Sequence, residues 1–338
     1  MQQQVNAIDQ VIKSDFALYN GDCVEISRGL PDNSIHYSIF SPPFASLYTY
    51  SNSDRDMGNC QSDDEFFEHF RFLIRELFRI TIPGRLVSFH CMNLPTSKAH
   101  HGYIGIRDFR GELIRAFEAE GWIYHSEVVI WKDPVVAQQR TKALGLLHKQ
   151  IVKDSAMSRQ GIPDYLVTMR KPGVNPEPIV GEFEEFVGEG LDVSREAYEK
   201  HAAEVRADGR EPWPFEMWRS VFVWQKYASP VWMDINPSNT LQYRSARDEK
   251  DEKHIAPLQL DVIARGVELW SNPGDIVFSP FAGIGSEGYQ AIKMGRRFVG
   301  VELKESYFRT AVRNLASAKD RQDENQMDIF DFISVHQR

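Results

Sequence analysis

With 338 residues, 42% of them apolar and 26% charged, the chain has the composition of a folded protein with a full core, which excludes a disordered or low-complexity chain. No run approaches the roughly 18 apolar residues of a membrane helix, and three scattered cysteines, Cys23, Cys60 and Cys91, exclude a disulfide framework or a cysteine zinc site. The formal net charge of −9 leaves any contact with nucleic acid to a local basic patch, because duplex binding rests on phosphate neutralisation by Lys and Arg.

Met1 to Asp15 lacks a basic stretch followed by an apolar one, so a cytoplasmic protein is expected. A strand at Phe16–Tyr19, a turn at Gly21-Asp22, a short helix, a turn at Pro31-Asp32-Asn33 and a strand at Ile35–Phe40 open the pattern. Phe66, Phe67, Phe70, Leu73, Ile74, Leu77 and Phe78 recur at helical spacing and predict a helix over Asp63–Ile80, closed by Pro83-Gly84. A buried strand at Leu86–His90, a helix at Phe109–Glu120 and strands at Trp122–Trp131 and Tyr165–Met169 follow. From Pro172 to Pro237 the regularity fades. An acidic helix over Ser194–Ala207 and a Trp-rich stretch, Trp213–Trp232, read there as a smaller inserted element. Alternation resumes with a helix at Leu258–Trp270, a strand at Asp275–Ser279, a glycine turn, a helix at Ser286–Met294 and a strand at Arg297–Val301. Strands alternating with helices predict an α/β domain with a mostly parallel sheet.

Two constellations carry chemistry. The strand Ile35–Phe40 runs straight into Ser41-Pro42-Pro43-Phe44, and ligands of open α/β sheets bind at the carboxyl ends of strands. Two prolines fix the backbone and remove two amide donors, leaving the Ser41 hydroxyl and the Pro42 carbonyl as acceptors beside the flat face of Phe44. That set suits a planar base bearing an amino group; alone, it also suits a plain strand-ending turn. The second constellation is Ser279-Pro280-Phe281-Ala282-Gly283-Ile284-Gly285-Ser286, strand to glycine turn to helix, with Glu302 closing the next strand where an acid bonds a ribose hydroxyl in nucleotide-binding domains. Taken literally, Gly283-x-Gly285-x-x-Gly288 also matches the dinucleotide fingerprint of NAD enzymes.

Together these motifs resemble those of DNA amino-methyltransferases: Ser41 to Phe44 is similar to their (D/N/S)-P-P-(Y/F) catalytic motif, and Ser279 to Ser286 to their D-P-F-x-G-x-G-(T/S) cofactor motif. The catalytic motif comes first, as in the permuted β group. The resemblance covers about Phe16–Pro172 and Asp251–Leu315. It implies a Rossmann-like methyltransferase fold, a mostly parallel twisted sheet with an antiparallel closing hairpin, and S-adenosylmethionine as cofactor without a metal. It implies that Asp22 and Cys23 lie near the cofactor adenine, that His254 and Gln259 cradle its methionine part, and that Ser279, Phe281, Ala282, Gly283, Gly285, Ser286 and Glu302 complete the site. Ser279 departs from the usual Asp, which puts one contact to the methionine amino group in doubt. Val128–Lys132 and Tyr165–Pro172 resemble the antiparallel strands that close the sheet.

The implied reaction transfers a methyl group to the exocyclic amino group of a flipped-out base, adenine N6 or cytosine N4, as in DNA modification. RNA as the polymer, and a non-catalytic cofactor-binding or interaction protein, remain open. The implied organisation is an arm (1–14), a catalytic half (15–172), a variable insert (173–245) as a possible target-recognition region, a cofactor half (246–318) and a polar tail (319–338). Lys132 to Lys171 is the basic patch. Within it Gln138, Gln139, Arg140, Lys142, His148 and Lys149 have side chains suited to base edges and phosphates, or the loop is a lid over the cofactor. Ser46, Tyr48, Tyr50, Asp54, Arg55 and Asp56 read as a loop over the base. His90, His100 and His101 lack metal-ligand spacing with carboxylates and read as structural or surface residues, and whether the chain is a monomer or a homodimer stays open.

Overall fold

The computed structural model describes residues 6–43, 60, 63–96, 98, 102–135, 148–157, 160–181, 192–242 and 257–318. In chain order the strands are β1 (Asp9–Ile12), β2 (Phe16–Asn20), β3 (Ile35–Phe40), β4 (Thr81–Met92), β5 (Leu94–Thr96), β6 (Gly105–Arg107), β7 (Ile123–Ile130), β8 (Asp164–Arg170), β9 (Val231–Trp232), β10 (Ile276–Ser279) and β11 (Arg297–Glu302). The helices are α1 (Cys23–Arg28), α2 (Asp63–Ile80), α3 (Phe109–Ala119), α4 (His148–Lys153), α5 (Arg195–Ala207), α6 (Phe215–Ala228), α7 (Leu260–Trp270), α8 (Ser286–Lys293) and α9 (Glu305–Ser317). Among the described residues no helix is long and apolar enough to cross a membrane.

One sheet organises the molecule, in the order β1-β2-β11-β10-β3-β4-β8-β7-β9. The run from β2 to β4 is parallel. Antiparallel pairs flank it, β1 on β2 at one side and β4-β8-β7 at the other. The expected antiparallel pair is therefore present, and the sheet continues past it: β9, from the Trp-rich stretch, lies parallel to β7.

Every residue of β2, β3 and β10 is buried, the mark of parallel strands covered on both faces. One face takes Phe66, Phe70, Leu73, Ile74 and Leu77 of α2 with Phe109, Leu113 and Phe117 of α3. The other takes Val262, Ile263 and Val267 of α7, Phe308 and Leu315 of α9, and Trp232 of β9.

The most informative feature of the order is its interleaving. β2 and β3 are consecutive in sequence, yet β11 and β10 stand between them. A buried cluster ties the two sequence halves together at the amino ends of these strands. Arg85 donates to Asp275 at 3.1 Å, and Nε2 of His36 lies 3.5 Å from the other carboxylate oxygen. All three side chains are almost fully buried. Removing one partner from a buried pair leaves an uncompensated charge, so Arg85→Ala should lower the unfolding free energy by about 3–5 kcal/mol in a urea titration.

Three local outcomes differ from the sequence expectation. Pro83-Gly84 does not close α2, which ends at Ile80; the pair sits inside β4, where the register with β3 shifts between Ile35 and Tyr37. Gly84 has φ 77°, and its amide donates to the Lys171 carbonyl, so this Pro-Gly bends a strand rather than ending a helix. The arm contributes β1, and the segment after Glu302 forms α9, neither of which was predicted. The stretch expected only as Trp-rich contains α6, whose Trp218 packs against Tyr198 of α5 at 5.5 Å between ring centroids.

Candidate functional site

Because β3 and β10 are parallel neighbours, paired at Val277↔Tyr37 and Phe278↔Ser38, their carboxyl ends open side by side. The two motifs, more than two hundred residues apart in sequence, therefore meet. The ring of Phe40, just before Ser41, lies 5.8 Å from that of Phe281 in the glycine turn, edge to face. Pro42 and Pro43 are buried and Ser41 is half-buried, its Oγ 3.2 Å from Nδ1 of His90 on β4. Phe44 and the loop residues Ser46, Tyr48, Tyr50, Asp54, Arg55 and Asp56 lie outside the described residues.

Behind Ser41 stands a group that sequence reasoning missed. His90 Nε2 is 3.1 Å from Asp164 Oδ2 at the start of β8, and Lys132, following β7, donates to Asp164 Oδ1 at 2.5 Å. Burial pushes the Asp164 carboxyl up, but His90 and Lys132 outweigh it and hold the group below the usual carboxylate range. No spacing rule signals this cluster, since its members come from strands that only the order β4-β8-β7 brings together. Lys132 is thus engaged inside the protein. So is Lys171, whose ammonium donates to the Thr81 carbonyl at 2.7 Å and to Asn33 at 2.8 Å. Both ends of the basic stretch serve the fold. His148 and Lys149 open α4, and Gln138, Gln139, Arg140 and Lys142 lie outside the described residues.

On the β10 side the three glycines have different tasks. Gly283 has φ 54°, and a Cβ there would meet nothing within 4 Å among the described residues. Gly285, at φ 87°, backs onto Ala311 of α9, where a Cβ would lie 3.2 Å from the alanine's own. Gly288 is a packing residue, since its Cβ would come within 2.4 Å of Phe298. Only the first is free to approach a ligand closely.

Glu302, at the end of β11, turns back over this space. Its two oxygens accept the amides of Gly283 and Lys304, each at 2.8 Å. Asp22 caps α1 by accepting from the Val24 and Glu25 amides at 2.9 Å, and the neighbouring Gly21 amide donates to the Glu302 carbonyl. Burial, then Asp22, pushes the Cys23 thiol up, with Glu302 adding a smaller push, so the thiol is neutral. Phe281 is half-buried and Ala282 buried, its amide donating to the Val301 carbonyl at 2.8 Å. Three buried polar atoms in this region have no hydrogen-bond partner among the described residues: Ser279 Oγ, Ser286 Oγ and Gln259 Oε1, the last at the amino end of α7. His254 lies outside the described residues.

A second residue missed from the sequence is Glu287, 5% exposed in the first turn of α8. Burial, and to a smaller degree Glu302, raises its carboxyl from 4.5 to about 8, so it is protonated at neutral pH. Its position inside the glycine motif was the available signal, because a first-turn carboxylate is ordinarily solvated. With the folded value above the unfolded one, the stability this group contributes is present below pH 4.5 and is lost as pH rises through 8. Glu287→Gln should therefore match the parent at pH 4.5 in thermal unfolding and exceed it at pH 8.5 by on the order of 1–4 kcal/mol.

Comparison with known proteins agrees with this arrangement. A family model of N6/N4 methyltransferases, described as DNA methylase, matches residues 35–313. The chain is 22% identical over 305 residues to the type II methyltransferase M.BglII of Bacillus subtilis, covering 90% of this chain and 69% of that protein. It is 37% identical over 81 residues to the DNA adenine methyltransferase YhdJ of Escherichia coli K12, a match that spans 23% of this chain and only 28% of YhdJ. In fold it is similar to TTHA0409, a candidate DNA modification methylase of Thermus thermophilus solved with S-adenosyl-L-methionine (TM-score 0.56, 20% identity, 89% of this chain and 95% of that one). It is similar also to the cytosine-N4-specific PvuII DNA methyltransferase (TM-score 0.55, 14% identity, 96% of this chain and 92% of that one). With the family model running from β3 into α9, the chain belongs to the DNA methylase family of N6 and N4 methyltransferases.

Proposed function

We propose that this protein transfers a methyl group from S-adenosylmethionine to the exocyclic amino group of a base in DNA, adenine N6 or cytosine N4. The observation that carries this reading is the parallel pairing of β3 with β10, which sets the Ser41-Pro42-Pro43 turn beside the glycine turn. The cofactor supplies an electrophilic methyl group. The residues suit it: among the described residues nothing stands where a Cβ of Gly283 would lie, Glu302 presents a carboxylate at the same turn for ribose hydroxyls, and Ser279 Oγ, Ser286 Oγ and Gln259 Oε1, which have no hydrogen-bond partner there, suit the polar methionine end. Ser279 takes the usual place of an Asp here, so a neutral hydroxyl meets the methionine ammonium.

A base stacked in a duplex cannot reach a buried methyl donor, so it has to be flipped out. Ser41 and the Pro42 carbonyl then accept its two amino protons, and Phe44 stacks on its ring. This turns the nitrogen lone pair toward the methyl group, and catalysis is chiefly positioning together with hydrogen bonds that strengthen as positive charge develops. Gln138, Gln139, Arg140, Lys142, His148 and Lys149 are the proposed contacts to phosphates and base edges. The test is incubation with labelled S-adenosylmethionine and unmethylated DNA or RNA, followed by mass spectrometry of the nucleosides. N6-methyladenine or N4-methylcytosine from DNA is expected; label on RNA alone, or on neither polymer, would overturn the reading.

A further inference from the structure

The group behind Ser41 sets the direction of a hydrogen bond. Asp164 is 2% exposed and His90 is 9% exposed, so water competes little for either. His90 Nε2 faces Asp164 Oδ2 at 3.1 Å without an aligned hydrogen bond, and because a carboxylate only accepts, this contact favours the ring hydrogen on Nε2. In the neutral ring Nδ1 is then bare, and at 3.2 Å it accepts the Ser41 O–H. The hydroxyl hydrogen is thereby turned away from the substrate side, and the Ser41 lone pairs are left for an incoming amino group.

We infer that His90, held by Asp164, fixes Ser41 as an acceptor and takes up, through Ser41, the proton released by the methylated amino group. This rests on the proposed amino-methylation. The amino nitrogen bonds the methyl carbon with its lone pair while the sulfur–carbon pair returns to sulfur. The cationic nitrogen gives one proton to Ser41 Oγ as the hydroxyl's own hydrogen passes to His90 Nδ1. The imidazolium stands against Asp164 and later releases its proton to water. Lys132 shares this carboxylate, its ammonium donating to the second Asp164 oxygen.

Other charged groups near β4 are paired elsewhere. Arg110 and Glu127, 2.7 Å apart, lie with Cys91 on the opposite face of the sheet. On the face that His90 shares, Lys226 and Arg265 are both turned to Asp234. His90 is a positioning residue, because it acts on the base only through Ser41.

The full chain can be tested in single turnovers on unmethylated genomic DNA. In His90→Asn the amide still bonds Ser41 but cannot take up a proton; the rate should fall about 10²-fold. Affinity for S-adenosylmethionine in calorimetry should not change. A parental rate in His90→Asn, or a parallel loss of cofactor affinity, would overturn the inference. Nitrogen NMR of His90 gives an independent readout: the neutral ring should carry its proton on Nε2, and a proton on Nδ1 would overturn the relay whether or not DNA is methylated. Failure of the parent to methylate DNA, by contrast, would strike the proposed function, with the NMR result still judging the hydrogen bond.

Discussion

Ser41→Ala should slow methyl transfer about 10³-fold, with the affinity for S-adenosylmethionine changed by less than about twofold. The hydroxyl sits at the end of β3, against His90 rather than against the glycine turn, so its loss leaves the nucleotide pocket intact. What disappears is one of two proposed acceptors for the amino protons, and with it the hydroxyl that touches His90. An interaction made chiefly in the transition state lowers kcat and kcat/KM together. Single-turnover rates and calorimetry on the same preparation separate the two effects. A variant with parental turnover would remove Ser41 from the chemistry.

Glu302→Ala should do the reverse. Its affinity for S-adenosylmethionine should fall about 10²-fold, from the loss of charge-assisted hydrogen bonds worth roughly 1.5–3 kcal/mol each. The carboxylate also holds the Gly283 and Lys304 amides, so part of the loss comes from a looser glycine turn. Glu302→Gln, which retains one acceptor oxygen, should fall between the parent and the alanine variant. Parental affinity in both variants would move the ribose contact elsewhere.

The strands nearest the site were legible because a parallel strand buried on both faces is written mostly in apolar residues, as in Ile276–Phe278 and in Ile35–Phe40, where only His36 and Ser38 interrupt the run. The glycine turn was legible because positive φ at Gly283 and Gly285 is a local demand that residue type answers locally. Pro83-Gly84 misled for the same reason: the pair announces a change of direction without saying whether a helix or a strand makes it. β1, two half-buried and two exposed residues on a sheet edge, has no apolar run to announce it. His90, Asp164 and Lys132 are the clearest case of chemistry hidden from the sequence. Each follows an ordinary local rule for its strand, and their meeting is a property of the sheet order alone.

That order also constrains how the chain comes to be folded. During synthesis β2, β3 and β4 emerge long before β10 and β11, which must enter between β2 and β3. Until then the central gap exposes two strands with open hydrogen-bonding edges and the apolar faces meant for α8 and α9. Contacts between such distant segments are slow to form, and an unfilled edge invites pairing with other chains. Yield on refolding should therefore depend steeply on protein concentration. A fragment ending before Asp275 should aggregate instead of settling into half a sheet, because the middle strands of the sheet are made after the strands on either side of them.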